Sequence, residues 1–248
     1  MTGLTAIVTT FDEAANIGEC LEALDFADEV LVVDSFSTDG TSELARQQGA
    51  RVLQHEYLSP AAQKNWAIPQ AANEWVMMVD ADERVTPELA EEIGRTIGAA
   101  GHDGYEIKRR SFFLGHEIRH SGWQNDWVLR LFRKGCGHYA EREIHEQLAI
   151  DGPVGRLRGR LIHYSYRTMD DYWRKLRRYA EWNAAEARKR GACPSPLFMM
   201  LHPPLRFWRS YLLQGGFLDG VPGLAVSLLT AVYAAAKDIH LWQMQQRG

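Results

Sequence analysis

The chain has 248 residues, 46% of them hydrophobic and 24% charged, enough for one sizeable α/β domain with an appendage. Its three cysteines, Cys20, Cys136 and Cys193, are far apart and odd in number. This pattern argues against a disulfide framework or a Cys-x-x-Cys zinc site and favours a reducing compartment. The N-terminus has no basic segment and no cleavage site, so no secretory signal is expected.

The net charge of −4 conceals an uneven distribution along the chain. Residues 1–155 contain 13 Lys/Arg and 26 Asp/Glu, a net charge of −13, whereas residues 156–248 contain 15 and 6, a net charge of +9. The positive C-terminal part indicates a negatively charged partner. A solvated basic helix explains the same charge equally well.

Short apolar runs alternate with amphipathic segments in the first hundred residues. The predicted strands are Leu4–Thr10, Glu29–Asp34, Ala50–Leu53 and Trp75–Asp80. Helices are predicted around Ile17–Leu24, over Pro60–Ala71 and after Thr86, where a capping residue precedes a proline. This alternation predicts a mostly parallel sheet covered by helices on both faces, with its ligand at the carboxyl ends of the strands.

The pattern changes beyond residue 100. From Gly101 to Ile150 the sequence is aromatic and glycine-rich, with short strands such as Gly104–Lys108. A basic, aromatic helix is predicted over Thr168–Lys189, followed by further apolar segments.

Two carboxylates, Asp80 and Asp82, close the fourth predicted strand. Strand alternation would place both on one side, with Ala81 pointing away. Neighbouring carboxylates repel unless a cation lies between them, and hard oxygen ligands suit Mg²⁺ or Mn²⁺. Such an ion can neutralise the charge of a departing diphosphate. The alternative is an acidic surface turn before Thr86.

Asp34 also ends a predicted strand, and a carboxylate at that position can accept hydrogen bonds from a nucleobase or ribose. The alternative, a helix cap or Asx-turn, suits Asp39 better. Thr9, Phe11 and Glu13 lie at the end of the first strand, next to Asp34 if strand order follows sequence adjacency. The ring of Phe11 could then flank the base.

Three segments resemble, in order, the signatures of family 2 glycosyltransferases. They are Val8–Glu13, Val32–Thr41 and Val79–Glu83. Further segments resemble family motifs or a bacterial lipopolysaccharide core β-1,4-glucosyltransferase subgroup: Gln63–Ala67, Gln124–Phe132, Arg142–Glu146, His163–Arg167 and Gly216–Gly220. The resemblance implies a Rossmann-like GT-A fold, inversion at the anomeric carbon, and transfer of a hexose to a heptose of the inner core.

The family's roles, carried over residue by residue, form three groups. Asp80 and Asp82 would hold the metal and diphosphate. The nucleotide-sugar contacts would be Thr9, Phe11, Glu13, Asp34, Lys64 and Asp80. Asp126 would be the general base that deprotonates the acceptor hydroxyl. Many family members have Glu-Asp at the base, whereas this chain has Asn125-Asp126, so the supporting acid is absent.

Several of these residues have a second interpretation. His145 is assigned as a further metal ligand, although a structural role is equally open, and His163 is more readily structural. Lys64 could be a solvated helix lysine. Arg130 could pair with Asp126 or with a phosphate. Asp126 could instead cap a helix.

The C-terminal part combines basic clusters, such as Arg174–Arg178, with apolar segments, such as Phe198–Leu201, that suit a bilayer interface. The run Val221–Ala236 contains Pro222 and is shorter than the roughly 20 residues of a spanning helix, so peripheral or re-entrant attachment is predicted. A helical hairpin packed on the catalytic domain, or a homodimer contact, is the alternative. The acidic first part and the lack of a recognisable module argue against nucleic acid.

The sequence thus predicts a metal-dependent hexosyltransferase in two parts. Residues 1–165 would form the GT-A domain, with a nucleotide-sugar half at 1–100 and an acceptor half at 101–165. Residues 166–248 would form a helical, membrane-associating appendage. The expected location is the cytoplasmic face of the inner membrane.

The expected partners are a nucleotide-diphosphate sugar, with UDP the family's usual nucleotide, a lipid-linked or lipopolysaccharide-core acceptor, and an anionic membrane surface. Two other functions stay open. One is a polyprenyl-phosphate sugar transferase, whose acceptor needs no base. The other is a non-catalytic, membrane-bound sugar-binding protein of the same fold.

Overall fold

The computed structural model describes residues 3–99, 101–140 and 148–246. The chain divides into two compact units. The first unit comprises Met1–Arg109 and Asp126–His163, and the second comprises Arg110–Asn125 and Tyr164–Gly248. The second unit therefore combines a central segment of the chain with its C-terminal third.

Strands and helices alternate through the first hundred residues. In order they are β1 (Leu4–Thr10), α1 (Ala14–Glu22), β2 (Glu29–Asp34), α2 (Thr41–Gln47), β3 (Arg51–Gln54), α3 (Pro60–Ala67), β4 (Trp75–Asp80), β5 (Glu83–Val85) and α4 (Pro87–Ile97). Strands dominate the part that follows. They are β6 (Gly104–Phe113), β7 (His116–Glu117), β8 (Trp127–Arg133), β9 (Gly137–Tyr139), β10 (Leu148–Ile150) and β11 (Val154–Tyr166).

The main sheet has the order β3-β2-β1-β4-β8-β6-β11-β5 among the described residues. Its first four strands are parallel. Beyond β4 the pairs β4–β8, β8–β6 and β11–β5 are antiparallel. The predicted parallel sheet therefore corresponds to β1–β4, and antiparallel strands extend it on one side.

Alternate side chains of β1 enter two different layers of the core. Ala6 and Val8 pack with α1, α2 and α4, whereas Ile7 packs with α3 on the other face. Because helices cover both faces, most side chains of β1, β2 and β4 are buried on both sides of the sheet.

Capping residues set the helix starts in this unit. Ser59 accepts a hydrogen bond from the Ala62 amide, and Thr86 from the Leu89 amide, and a proline follows each cap. The α-helix predicted to reach Ala71 ends at Ala67, and a 3₁₀ turn, Ile68–Gln70, follows it. The α-helix stops there because Pro69 has no amide hydrogen to donate.

Three helices dominate the second unit. They are α5 (Met169–Lys189), α6 (Pro196–Trp208) and α7 (Gly220–Gln246). A π-helical turn, Arg209–Leu213, and a 3₁₀ turn, Gly216–Asp219, connect α6 to α7.

The structure corrects the predicted length of the C-terminal apolar segment. Pro222 lies in the first turn of α7, where its missing amide hydrogen costs no helical bond, so the helix is continuous for 27 residues. By length and composition alone, Gly216–Gln246 could cross a membrane, since an 18-residue window within it has a mean hydropathy of 1.5. The expectation that this segment is too short to span was therefore wrong.

Candidate active site

Three strand ends meet at the carboxyl edge of the parallel sheet. In the strand register Thr9 of β1 is opposite Asp80 of β4, and Thr10 is opposite Asp34 of β2. Side chains that are 24 to 71 residues apart in sequence therefore lie at one edge.

Asp34 organises the loop that follows β2. Its Oδ1 accepts hydrogen bonds from the hydroxyls of Thr10 at 3.0 Å and Ser37 at 2.5 Å, and its Oδ2 from the Ser37 amide at 3.0 Å. Burial opposes ionisation, but these bonds, together with Ser42, hold the pKa of Asp34 below its usual value. Because the side chain is fully buried, its bonds to Thr10 and Ser37 fix the start of this loop.

Two exposed phenylalanines lie on loops at this edge, Phe11 after β1 and Phe36 after β2, with 61% and 56% of their surfaces exposed. The loops are linked through Asp12, whose amide donates to the Ser37 hydroxyl and whose Oδ1 accepts from the Thr38 amide, each at 2.9 Å. Phe36 has a positive φ of 59°, a conformation that bulky residues adopt only under constraint. Glu13 follows Asp12, and its amide donates to the Thr41 hydroxyl at 2.9 Å.

Three cations surround the carboxylate of Asp80. Lys64 Nζ lies 3.3 Å from Oδ1, Arg109 Nη2 lies 3.4 Å from Oδ2, and Arg130 Nη2 donates to Oδ2. Burial opposes ionisation, but Arg130, Lys64 and Arg109 outweigh it and hold the pKa of Asp80 well below its usual value. Lys64 is only 5% exposed, so the alternative of a solvated helix lysine is wrong.

Glu83 is a second carboxylate in this cluster and is fully buried. Its Oε1 accepts from Arg109 Nε and from Arg130 Nη2, both at 2.7 Å, and its Oε2 accepts from the Asp80 amide at 3.0 Å. Asp80 and Glu83 thus share Arg109 and Arg130, with Lys64 beside Asp80.

Asp82 lies in a turn between β4 and β5, so the strand alternation assumed from the sequence does not apply to it. Arg84 fixes this turn. Its Nη1 donates to the carbonyls of Ala81 and Glu83 at 2.7 Å, and its Nη2 donates to the Asn16 carbonyl of α1 at 2.9 Å.

The side chain of Asp82 faces His163, with 3.6 Å between Oδ2 and Nε2 and 18% of each side chain exposed. This pair combines a hard carboxylate oxygen with an imidazole nitrogen, and carboxylate is the ligand type that Mg²⁺ and Mn²⁺ prefer. No group of three His, Cys, Asp or Glu side chains suited to a metal occurs among the described residues. The pair offers two donor atoms of types that a divalent ion binds. His145, the further predicted ligand, lies outside the described residues.

Asp126 precedes β8, and 35% of its side chain is exposed. Its Oδ2 lies 3.5 Å from Arg109 Nη1, and its carbonyl accepts from the Arg109 amide at 2.8 Å. One guanidinium thus contacts the predicted base and both carboxylates of the cluster. Arg130, expected to pair with Asp126 or a phosphate, pairs with Asp80 and Glu83 instead.

Arg109 and Glu83 received no role from the sequence, and His163 was considered structural. The one local signal for Arg109 was the run Lys108-Arg109-Arg110 in a strand whose neighbouring residue Ile107 is buried. An arginine on the same strand face as the buried Ile107 and Ser111 needs an acidic partner, which these carboxylates supply.

The family sequence model described as Glycosyl transferase family 2 matches residues 5–152. The chain belongs to this family. Its sequence is 29% identical over 248 residues to "Lipopolysaccharide core biosynthesis glycosyltransferase LpsC" of Rhizobium meliloti, an alignment that covers 97% of this chain and 92% of that protein. The predicted family and enzyme class are confirmed.

Two solved structures resemble the fold. The Pyrobaculum calidifontis mannosyltransferase PcManGT, in complex with GDP-Man and Mn²⁺, has a TM-score of 0.56 and 18% identity, with 97% of this chain and 87% of that chain covered. S. aureus TarS 1–349, in complex with UDP-GlcNAc, has a TM-score of 0.52 and 20% identity, with 99% and 90% covered. This glycosyltransferase therefore has the predicted α/β GT-A fold.

Proposed function

We propose that this glycosyltransferase moves a hexose from a nucleotide-diphosphate sugar, most simply a UDP-sugar, to a glycolipid or lipopolysaccharide-core acceptor, with inversion of the anomeric carbon. The observation that carries the proposal is the charged cluster at the strand ends, where Arg109 connects Asp126 to Asp80. The similarity to LpsC over nearly the whole chain supports the acceptor class.

The donor would lie across the ends of β1, β2 and β4. Phe11 offers an exposed ring for a nucleobase, on a loop supported by Asp34, and Thr9 and Glu13 lie on the same strand and loop. Lys64, Arg109 and Arg130 lie around Asp80, and their side chains are donors that a diphosphate could take.

Asp82 and His163 would hold a divalent ion at the diphosphate, and Asp80 and His145 stay predicted as further ligands. When bound, the ion neutralises the negative charge that the leaving diphosphate acquires. Arg84 keeps the turn that carries Asp82 in place before any donor is bound.

Asp126 would accept the proton of the acceptor hydroxyl on its partly exposed carboxylate. The acceptor oxygen then bonds to the anomeric carbon, the bond from this carbon to the diphosphate oxygen breaks, and the configuration inverts. Arg109 Nη1, 3.5 Å from Oδ2, orients the carboxylate for this step.

Substitution of the base tests the proposal. In Asp126→Asn, transfer from UDP-hexose to an inner-core acceptor should fall by roughly 10²–10⁴-fold, the usual contribution of a general base. Stabilisation of the protein by UDP-hexose in a thermal-shift assay should be unchanged, because Asp126 lies on the acceptor side.

Full transfer activity in Asp126→Asn would contradict this role of Asp126. Transfer to a polyprenyl phosphate by both proteins would instead identify an acceptor that needs no base. The absence of both stabilisation and turnover with every nucleotide sugar tested would contradict the proposed transfer reaction.

A further inference from the structure

We propose that the helical hairpin Pro196–Gln246 lies flat on an anionic lipid bilayer, with one apolar face in the interface and without crossing the membrane. The hairpin consists of α6, α7 and the turns between them. The inference goes beyond the transfer reaction, because a lipid surface can be bound whatever sugar is transferred.

The two helices of the hairpin are antiparallel along their whole length. His202 Nδ1 lies 2.6 Å from Asp238 Oδ2, and the hydroxyls of Ser210 and Ser227 are 3.0 Å apart. Residue numbers rise along one helix as they fall along the other. These polar contacts fix the packed side of the hairpin, which leaves its other side free of the partner helix.

The opposite side of the hairpin is apolar and exposed. Sixteen of the 24 exposed large hydrophobic side chains among the described residues lie between Leu197 and Trp242. Leu213 is 84% exposed, Val221 79%, and Leu205 63%. Such a concentration within 46 residues marks an interaction surface, because apolar side chains scattered singly would need no explanation.

The spacing of the exposed residues shows a continuous stripe on α7. Val221, Leu224, Leu228, Val232, Ile239 and Trp242 recur at intervals of three, four or seven residues, which is one face of an α-helix. The buried residues, such as Ser227, Ala234 and Asp238, occupy the other face. One face thus packs on protein, and the other needs a different apolar environment.

The charges of the hairpin decide what covers this stripe. Its only acidic residues, Asp219 and Asp238, have side chains that are 5% and 2% exposed, and each pairs with a histidine, His120 and His202, at 2.8 and 2.6 Å. The cations Arg206 and Arg209 are not buried. A surface that hides both of its acids and presents apolar and cationic groups is complementary to anionic lipid headgroups.

The packing of α5 decides between lying on the bilayer and crossing it. The Tyr172 hydroxyl of α5 donates to the Leu229 carbonyl, near the middle of α7, at 2.9 Å. Ten of the 21 residues of α5 are charged. If α7 spanned the membrane, this helix would enter the hydrocarbon core, where each charge is costly. An in-plane arrangement keeps α5 in water and brings only the apolar stripe into the interface.

Vesicle flotation of the full chain tests the proposal. The protein should float with vesicles of phosphatidylethanolamine and phosphatidylglycerol, and much less with phosphatidylcholine alone. Leu213→Glu should weaken partitioning into the vesicles by about tenfold or more, the fold-change that corresponds to the free energy of burying one leucine side chain. Neutralising Arg206 and Arg209 with glutamine should cost about fivefold for each charge and remove most of the salt dependence.

Leu58→Glu is the matched control, since Leu58 is 71% exposed but lies in the first unit. It should float like the wild type, and all variants should keep the wild-type unfolding temperature. Met200→Glu, at an exposed position of α6, provides a second measurement if Leu213→Glu unfolds. Stabilisation by UDP-hexose should be the same in all of them, so a failure of lipid binding is separate from a failure of donor binding.

Three results would overturn the proposal. The first is the absence of flotation, or flotation unaffected by both leucine and methionine variants. The second is a dimer in gel filtration that Leu213→Glu dissociates while no lipid is bound, because a second copy would then cover the stripe. The third is resistance of the bound protein to an alkaline carbonate wash, which would contradict the in-plane arrangement.

Discussion

At the scale of single residues, Arg109 connects the two sides of the candidate active site. Its guanidinium nitrogens lie 2.5 Å from Glu83, 3.4 Å from Asp80 and 3.5 Å from Asp126. Burial lowers the pKa of an arginine, but the surrounding carboxylates outweigh it and raise the pKa of Arg109. A planar guanidinium can hold three carboxylates because its donors point in fixed directions, whereas an ammonium is a single point of charge.

Arg109→Lys should therefore keep the positive charge but lose the fixed donor directions that contact the three carboxylates. We expect the transfer rate to fall by about 10²-fold, as for other displacements of positioned groups, with a smaller change in KM. Arg110→Lys is the matched control, since Arg110 is the next residue and pairs with Glu117 at 2.9 Å instead. Steady-state kinetics of both variants provide the measurement. A kcat for Arg109→Lys equal to that of Arg110→Lys would show that Arg109 contributes charge alone.

At the scale of elements, the contact between β11 and α4 leaves no room for a side chain. A Cβ added at Gly159 would lie 2.7 Å from Leu89 Cα, a backbone atom that cannot move alone. The strand that carries His163 can therefore approach the helix only through a glycine.

Gly159→Ala should destabilise the protein by about 1–3 kcal/mol, the cost of overpacking a close contact. Gly94→Ala, within α4 itself, meets no atom within 4 Å and should stabilise by roughly 0.5–1 kcal/mol through helix propensity. Denaturant unfolding of the two variants gives the comparison. A neutral Gly159→Ala would show that β11 and α4 are not in tight contact in solution.

At the scale of the whole molecule, ligand binding and stability are linked. Donor at 100 times its Kd should raise the free energy of unfolding by about 2.7 kcal/mol. If Asp82 and His163 hold the ion, this stabilisation should be larger with Mn²⁺ or Mg²⁺ than with a chelator.

Asp82→Asn should lose the ion-dependent part of that stabilisation and keep the rest. Asp151→Asn, an exposed aspartate of the same unit, should behave like the wild type. A thermal-shift series with UDP-hexose, with and without Mn²⁺, provides the measurement. An ion effect that survives in Asp82→Asn would assign the metal to other residues.

Local sequence was enough to predict the parallel half of the sheet. The bounds of β1, β2 and β4 agree with the predicted runs, because each run is apolar on both faces and ends in a turn. The end of α7 was missed because its last ten residues are mostly polar, while the prediction followed hydrophobicity up to Ala236.

The contacts of the site could be predicted only in part. The strand-end acids followed from the rule for parallel sheets, but their partners did not. Arg109 lies 26 residues from Glu83, and His163 lies 81 residues from Asp82, so their meeting depends on how antiparallel strands pair. Nothing in a single sequence states that pairing.

The register of β1 limits where a residue can be inserted into this chain. In the register, Thr9 pairs with Asp80 and Thr10 pairs with Asp34. Because Thr9 and Thr10 are adjacent in the strand, their side chains point to different faces of the sheet. One inserted residue within Leu4–Thr10 would exchange the faces of every side chain beyond it. The loops after these strands have no alternation of faces to keep, so a change of length there would act through the hydrogen bonds of Asp12 and Arg84 instead.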